Sequence, residues 1–291
     1  MSFSYLKEIE DLAKEQQIPF WRVIIEDDMK ERNVSFEESF ETMRGMYHAM
    51  KEADTSYDAT LRSASGLVGG DGAKLEAFRQ KQNRLIGDFL TEVMEKAVKM
   101  SESNACMKRI VAAPTAGSCG VIPAVLLTYE DQREVSQDRL VEALFVAAGI
   151  GEVIAASASI AGAEGGCQAE IGSASAMAAG AVAYLEGGKE EEIVHAAALA
   201  LKNMLGLTCD PVAGLVEVPC VKRNVSGAVN AIVSSQMAIA GIRSAILPDE
   251  VIDSMRRIGK LLPACLRETG QEGLAITPTA QEVVRRLKEE A

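Results

Sequence analysis

The sequence predicts an all-α fold, and three observations carry that prediction. Apolar residues recur at helical spacing along most of the chain. Few stretches alternate apolar with polar residues, so strand signals are limited to Leu215–Val218 at most. The helical segments are separated by five breaks rich in Gly, Ser, Thr and Pro, the residues that punctuate helices. These breaks are Ser63–Gly72, Ala113–Pro123, Ala161–Ser175, Leu207–Asn224 and Arg267–Thr279.

Taken in order, Tyr5–Gln17, Phe20–Arg32 and Phe36–Ala53 read as charged amphipathic helices. The third opens with Ser35 and carries Glu38 three residues on, the pattern of a capping box. Leu75–Met100 reads as one long helix, with Leu75, Phe78, Leu85, Phe89 and Val93 on its apolar side. Near residue 110 the character changes, and Ala-rich segments follow at Val121–Glu130, Asp138–Ile150, Gln168–Glu186, Glu190–Leu205, Ser226–Leu247 and Glu250–Leu261. Gln281–Glu290 closes the chain as a short polar helix.

Of the 291 residues 48% are hydrophobic but only 4% aromatic. A core of small side chains implies backbones packed close together. The net charge of −12 makes nucleic acid and anionic membranes poor partners. No signal-like apolar segment opens the chain, so a cytoplasmic location is expected. The most apolar stretch, Ala143–Ala163, contains Glu152 and reads as a buried helix pair, not a membrane span. No glycine loop is followed by Gly-Lys-Ser/Thr, and none follows a strand in a Gly-x-Gly-x-x-Gly turn, which sets aside nucleotide binding.

Six cysteines in a reducing compartment argue against a disulfide framework. Cys106 and Cys265 fit small apolar packing, and Cys119 stands in a loop. Cys167, Cys209 and Cys220 occupy breaks where backbone shape is special. Burial and metal ligation both remain open for them, since their spacing is not the Cys-x-x-Cys of zinc ribbons or ferredoxins. His48 and His195 lie on helices and are poor candidates to complete a ligand set.

Four longer motifs, PTAGSCGVIP, GAEGGCQAEIGSAS, LKNMLGLTCDPVAGLVEVPCVKRN and RETGQEGLAITPT, occur here in order. Together with SGLVGGD at Ser65–Asp71, they resemble the catalytic chain of the iron–sulfur-dependent L-serine dehydratases (L-serine ammonia-lyases). The resemblance covers essentially the whole chain. It implies a single all-α catalytic domain over 1–291, with a charged helical part at 1–110 and a cluster-binding part at 111–291. It further implies loops converging on a 4Fe–4S cluster held by Cys167, Cys209 and Cys220. The substrate would be L-serine, deaminated to pyruvate and ammonia, and a separate beta chain would be the partner. Single-chain members place a further cysteine at their far C-terminus, whereas this sequence ends VVRRLKEEA, so water, a partner group or another ligand would hold the open iron.

An open iron would polarise the substrate hydroxyl as a Lewis acid while a base takes the Cα proton. Asp71, Lys202, Asp210 and Lys222 are the candidates for that base. Ser65, Gly66, Thr115, Gly117 and Ser118, in glycine-rich turns, are candidates to bind the substrate carboxylate, as are Arg223 and Asn224 just after Cys220. Two alternatives accompany this reading. One is a related iron–sulfur lyase acting on another small hydroxy acid; the other is a non-catalytic cluster-based sensor, which the acidic charge disfavours.

Overall fold

The structure is a computed structural model and describes residues 3–81 and 85–290. It is all-helical, with no strand among the described residues. The helices are α1 (Leu6–Gln16), α2 (Phe20–Arg32), α3 (Phe36–Thr55), α4 (Asp71–Arg79), α5 (Asp88–Ala105), α6 (Val121–Gln132), α7 (Gln137–Ser157), α8 (Gly162–Gly165), α9 (Ser173–Leu185), α10 (Glu190–Met204), α11 (Cys220–Ile239), α12 (Pro248–Leu261) and α13 (Pro278–Glu290). Leu215–Val218 is loop, and the one isolated backbone bridge joins Cys209 to Arg267.

Helix α9, SASAMAAGAVAYL, is the axis of the molecule. Every one of its residues is buried, and α6, α7, α10 and α11 pack around it. Its small side chains let those neighbours come close. At Gly180 an added Cβ would lie 2.2 Å from Ile150 Cδ1, so a larger residue there would push α7 outward. The scarce aromatic rings are used elsewhere: Trp21, Phe36, Phe40 and Phe145 stack where α2 and α3 meet α7. Residues of α1, α2 and α3 share one core cluster with those of α5 to α7 and α9 to α12.

Ser35 and Glu38 form the expected capping box, with Ser35 Oγ accepting from the Glu38 amide at 3.2 Å and Glu38 Oε2 accepting from the Ser35 amide at 2.9 Å. The long helix expected over Leu75–Met100 is instead two helices, α4 and α5, and part of the expected span (82–84) lies outside the described residues. Lys99 of α5 meets Glu76 of α4 at 3.1 Å, and Arg79 meets Glu92 at 2.6 Å. In one continuous helix, residues 76 and 99 would stand about 35 Å apart at ~1.5 Å per residue. Leu85, assigned to the apolar face, is fully exposed.

The segment Ala143–Ala163 is not a helix pair. It is the second half of α7 followed by a turn into the one-turn α8. By length and composition α7 could cross a membrane, but 67% of its most apolar stretch is buried inside the protein. Helix α11 starts at Cys220, six residues before the expected start at Ser226. The VKRN segment, read as the end of the Leu207–Asn224 break, is its first turn. That shift puts Cys220, Arg223 and Asn224 on one rigid element.

Candidate metal centre

The segment Gly162–Gly172 wraps a short α-turn and a π-turn around Cys167. Gly166, at φ +76°, is required there. A Cβ would lie 2.7 Å from Leu207 O, and the left-handed backbone would strain any other residue. Gln168 is fully buried and ties this turn to two neighbours. Its Nε2 donates to Met255 O of α12 at 3.2 Å, and its Oε1 accepts from the Gly206 amide at 2.9 Å. Its own amide donates to Leu207 O at 3.0 Å. The segment bound in this way leads directly to Cys209.

Cys209 is held from its other side by the 264–268 segment. Its amide donates to Leu266 O at 2.9 Å, and its carbonyl accepts from the Glu268 amide at 2.7 Å. The result brings the Sγ atoms of Cys167 and Cys209 and a carboxylate oxygen of Glu170 within 4.8 Å of one another. All three thiols, Cys220 included, are buried. The thiol of Cys209 hydrogen-bonds Cys167, which lowers the pKa of Cys167 against the effect of burial, and Arg223 lowers it further. The same bond, then burial, pushes Cys209 up. Burial first, then the charges of Cys167 and Glu170, push the Cys220 thiol up to about 12.

Arg223 is the cation of the site. Its guanidinium donates to Cys167 Sγ at 3.3 Å, to Thr208 O at 2.8 Å and to Asp210 Oδ1 at 2.8 Å. Asp210 also accepts from the Leu274 amide at 2.9 Å, which draws the C-terminal segment over the cysteine loop. Asn224, one residue on, fixes the loop before α6. Its Nδ2 donates to Gly117 O at 2.8 Å and its Oδ1 accepts from the Gly120 amide at 2.9 Å. Within that loop Thr115 donates to Glu170 Oε1 at 2.8 Å, and Ser118 Oγ accepts from the Thr115 amide at 3.3 Å.

Hydrogen bonds therefore link Cys167 with Arg223, Glu170 with Thr115 and through it Ser118, and Asn224 with Gly117 and the Cys220 carbonyl, while the Cys220 sulfur lies outside the 4.8 Å group of Cys167, Cys209 and Glu170. Asp210 joins this network through Arg223. Ser65 and Gly66 reach it indirectly. Ser63 donates to Glu217 at 2.6 Å and Ser65 donates to the same carboxylate, which lies one turn before Cys220. Asp71 and Lys222 pair at 2.5 Å, and Lys74 adds a second contact to Asp71 at 2.8 Å, so these amines hold the Asp71 carboxyl below its usual range. Lys202 sits on α10, and none of these contacts includes it.

Three site residues escaped the sequence reading. Glu170 had a legible signal: it stands three residues after Cys167 in a helical context, hence on the same face. Glu217 and Glu102 had none. Glu102 is buried and accepts from the amides of Gly69, Asp71 and Gly72 at 3.2, 2.9 and 3.1 Å. Those amides, expected to be free for a ligand, are occupied by the protein's own carboxylate. His195 is likewise structural, since its Nδ1 accepts from the Ser244 amide at 3.2 Å.

A helical scaffold whose loops gather two buried thiols, a carboxyl group and a guanidinium offers a candidate cysteine-rich metal site. The chain belongs to the serine dehydratase alpha chain family, whose profile matches residues 15–275. It is similar to a probable L-serine dehydratase alpha chain of Bacillus subtilis (strain 168), with 46% identity over 285 residues, 98% of this chain and 95% of that protein. An L-serine dehydratase alpha chain of Peptoniphilus asaccharolyticus is 38% identical over 281 residues, 96% of each chain. An L-serine dehydratase of Helicobacter pylori (strain ATCC 700392 / 26695) is 35% identical over 287 residues, and the match covers 94% of this chain but 62% of that protein.

Proposed function

We propose that this chain is the catalytic subunit of an L-serine dehydratase, converting L-serine to pyruvate and ammonia with a 4Fe–4S cluster held by Cys167, Cys209 and Cys220. The observation that carries the reading is the convergence of the Cys167 and Cys209 sulfurs with Glu170, with Arg223 on the Cys167 thiolate. The donor set fits such a group: soft thiolates suit iron–sulfur clusters, and the electrostatic influence of Cys167 on Cys220 makes the third sulfur a neighbour of the pair. Cys220 lies outside the 4.8 Å group of Cys167, Cys209 and Glu170, so in this reading its sulfur closes on the cluster from the start of α11. When bound, the cluster would supply a Lewis acid for the hydroxyl of L-serine.

The protein's own residues do the rest. Arg223 donates to the Cys167 sulfur and would balance the charge that three thiolates bring. Thr115, Gly117 and Ser118, braced by Asn224, form the wall against which the substrate lies. Lys222, held by Asp71 two residues past Cys220, is the proton-transfer candidate nearest the cysteine loop in sequence; Asp210 is engaged by Arg223. Loss of water from L-serine followed by hydrolysis of the enamine gives pyruvate and ammonia. A second chain is part of this reading: relatives are named alpha chains, and the Helicobacter pylori protein extends well beyond the match. Thiols that must stay reduced suit a cytoplasmic location.

The test is oxygen-free purification with and without the partner chain, reconstitution with iron and sulfide, and assay of pyruvate from L-serine, L-threonine and D-serine. Cys167→Ala, Cys209→Ala and Cys220→Ala are each expected to abolish iron binding and turnover, and Cys106→Ala to keep both. A Cys209→Ala protein with full iron and turnover would end the ligand assignment.

A further inference from the structure

We infer that Glu170 is the residue that recognises the α-ammonium group of the substrate, and so selects amino acids over the corresponding hydroxy acids. The inference rests on the dehydratase reading above.

Glu170 is built into the site with care. Its carboxylate lies where a Cβ at Gly117 would be 2.9 Å from Oε1 and a Cβ at Gly162 would be 2.7 Å from Oε2. Two residues without side chains therefore make the space it occupies. Its only hydrogen-bond partner among the described residues is Thr115, on Oε1. Oε2 carries no such bond and is not among the sealed, unpartnered buried atoms. No lysine, arginine or histidine among the described residues forms an ion pair with it. Arg223, the guanidinium on Cys167, is spent on Cys167, Thr208 O and Asp210.

The surroundings are negative. Burial first, then Glu268 on the segment whose amide meets Cys209 O, push the Glu170 carboxyl up against the hydrogen bond from Thr115, and the Cys167 sulfur stands within 4.8 Å. A site with two acidic side chains and sulfur donors, and with its guanidinium already paired, is complementary to a small cation. An α-ammonium is the cation that an amino-acid substrate brings. It offers three donors, of which one matches the open Oε2. A substrate whose hydroxyl faces the sulfur donors at Cys167 and Cys209 has its ammonium within reach of Glu170, because both groups are on adjacent carbons.

The test uses the full chain, reconstituted without oxygen, as wild type and Glu170→Gln. Iron content is measured, affinity for L-serine and for 3-hydroxypropanoate (which lacks the ammonium) is read by calorimetry, and kcat and KM are read for L-serine. Glu170→Gln is expected to retain iron, to raise the KM for L-serine at least about tenfold, the loss of one charge-assisted hydrogen bond, and to bind the two compounds nearly alike. Glu170→Asp should recover part of the discrimination. Loss of iron in Glu170→Gln would make Glu170 a ligand and overturn the inference. So would a fall in kcat with KM and discrimination unchanged, which would make it a proton carrier, or no change at all. A wild-type protein that binds iron but neither binds nor converts L-serine would overturn the dehydratase reading itself, and the inference with it.

Discussion

Gly162→Ala separates the site from the fold. Gly162 opens α8, and its φ lies outside the left-handed range, so the backbone accepts alanine. The new Cβ, however, would stand 2.7 Å from Glu170 Oε2 and 3.2 Å from Cys209 Sγ. Ordinary contact begins at 3.4 Å, so the carboxylate must move by about 0.7 Å and the sulfur by about 0.2 Å. Neither moves freely: Glu170 is tied to Thr115 and bounded by Gly117, and Cys209 is held by backbone bonds to Leu266 and Glu268. Overpacking of this kind costs ~1–3 kcal/mol, while alanine recovers part of the entropy that glycine loses, so the melting temperature should fall by only a few degrees. A displacement approaching 1 Å at a reacting centre can cost ~100-fold in rate, so kcat/KM should fall at least about tenfold. The assay pairs thermal melting with iron content and pyruvate formation on the same preparation. Wild-type iron content and turnover in a folded Gly162→Ala protein would refute the geometry.

Arg223→Lys keeps the charge but not the fork that spans Cys167, Thr208 O and Asp210, whose side chain is only 7% exposed. Losing a hydrogen bond to a charged group costs ~1.5–3 kcal/mol, so the variant should melt lower and lose iron on gel filtration; equal retention would count against Arg223 as the brace of the centre. Glu152→Gln tests a group away from the site. Burial, then the Asp27, Glu31 and Asp28 carboxylates, raise the Glu152 pKa above the ordinary 4.5. The folded protein thus holds this proton more tightly than the unfolded chain. That contribution to stability is present below the unfolded value and is lost as pH rises through the folded one. Glu152→Gln should therefore melt higher than wild type at pH 7, with the gap closing below pH 4.5 in melts taken across that range. A gap independent of pH would remove the titration as its cause.

The fold class was legible because helical periodicity and glycine-proline breaks are local properties. The helix boundaries were less so. Leu75–Met100 carries an apolar repeat that says nothing about a break, and what bends α4 back onto α5 is the set of ion pairs Arg79–Glu92 and Lys99–Glu76, contacts between residues distant along the chain. Helix α11 was cut short for the converse reason. Lys222, Arg223 and Asn224 look like a solvated loop until Asp71, Asp210 and the 117–120 loop supply their partners.

The same division runs through the site. By itself the sequence determined the helical class, the small-residue core and the breaks that carry the chemistry, with Cys167, Cys209 and Cys220 marked by the motifs around them. Only the tertiary structure decided that the Cys209 thiol hydrogen-bonds Cys167 and that Arg223 donates to the Cys167 sulfur. It also decided that Glu102 and Glu217 fill the amides and hydroxyls of the Ser63–Gly72 loop, and that Glu170 enters the space two glycines leave open. The physical reason is that periodicity and turn chemistry are written in neighbouring residues. Charge pairing, desolvation and the room for a carboxylate depend on which distant segments fold together.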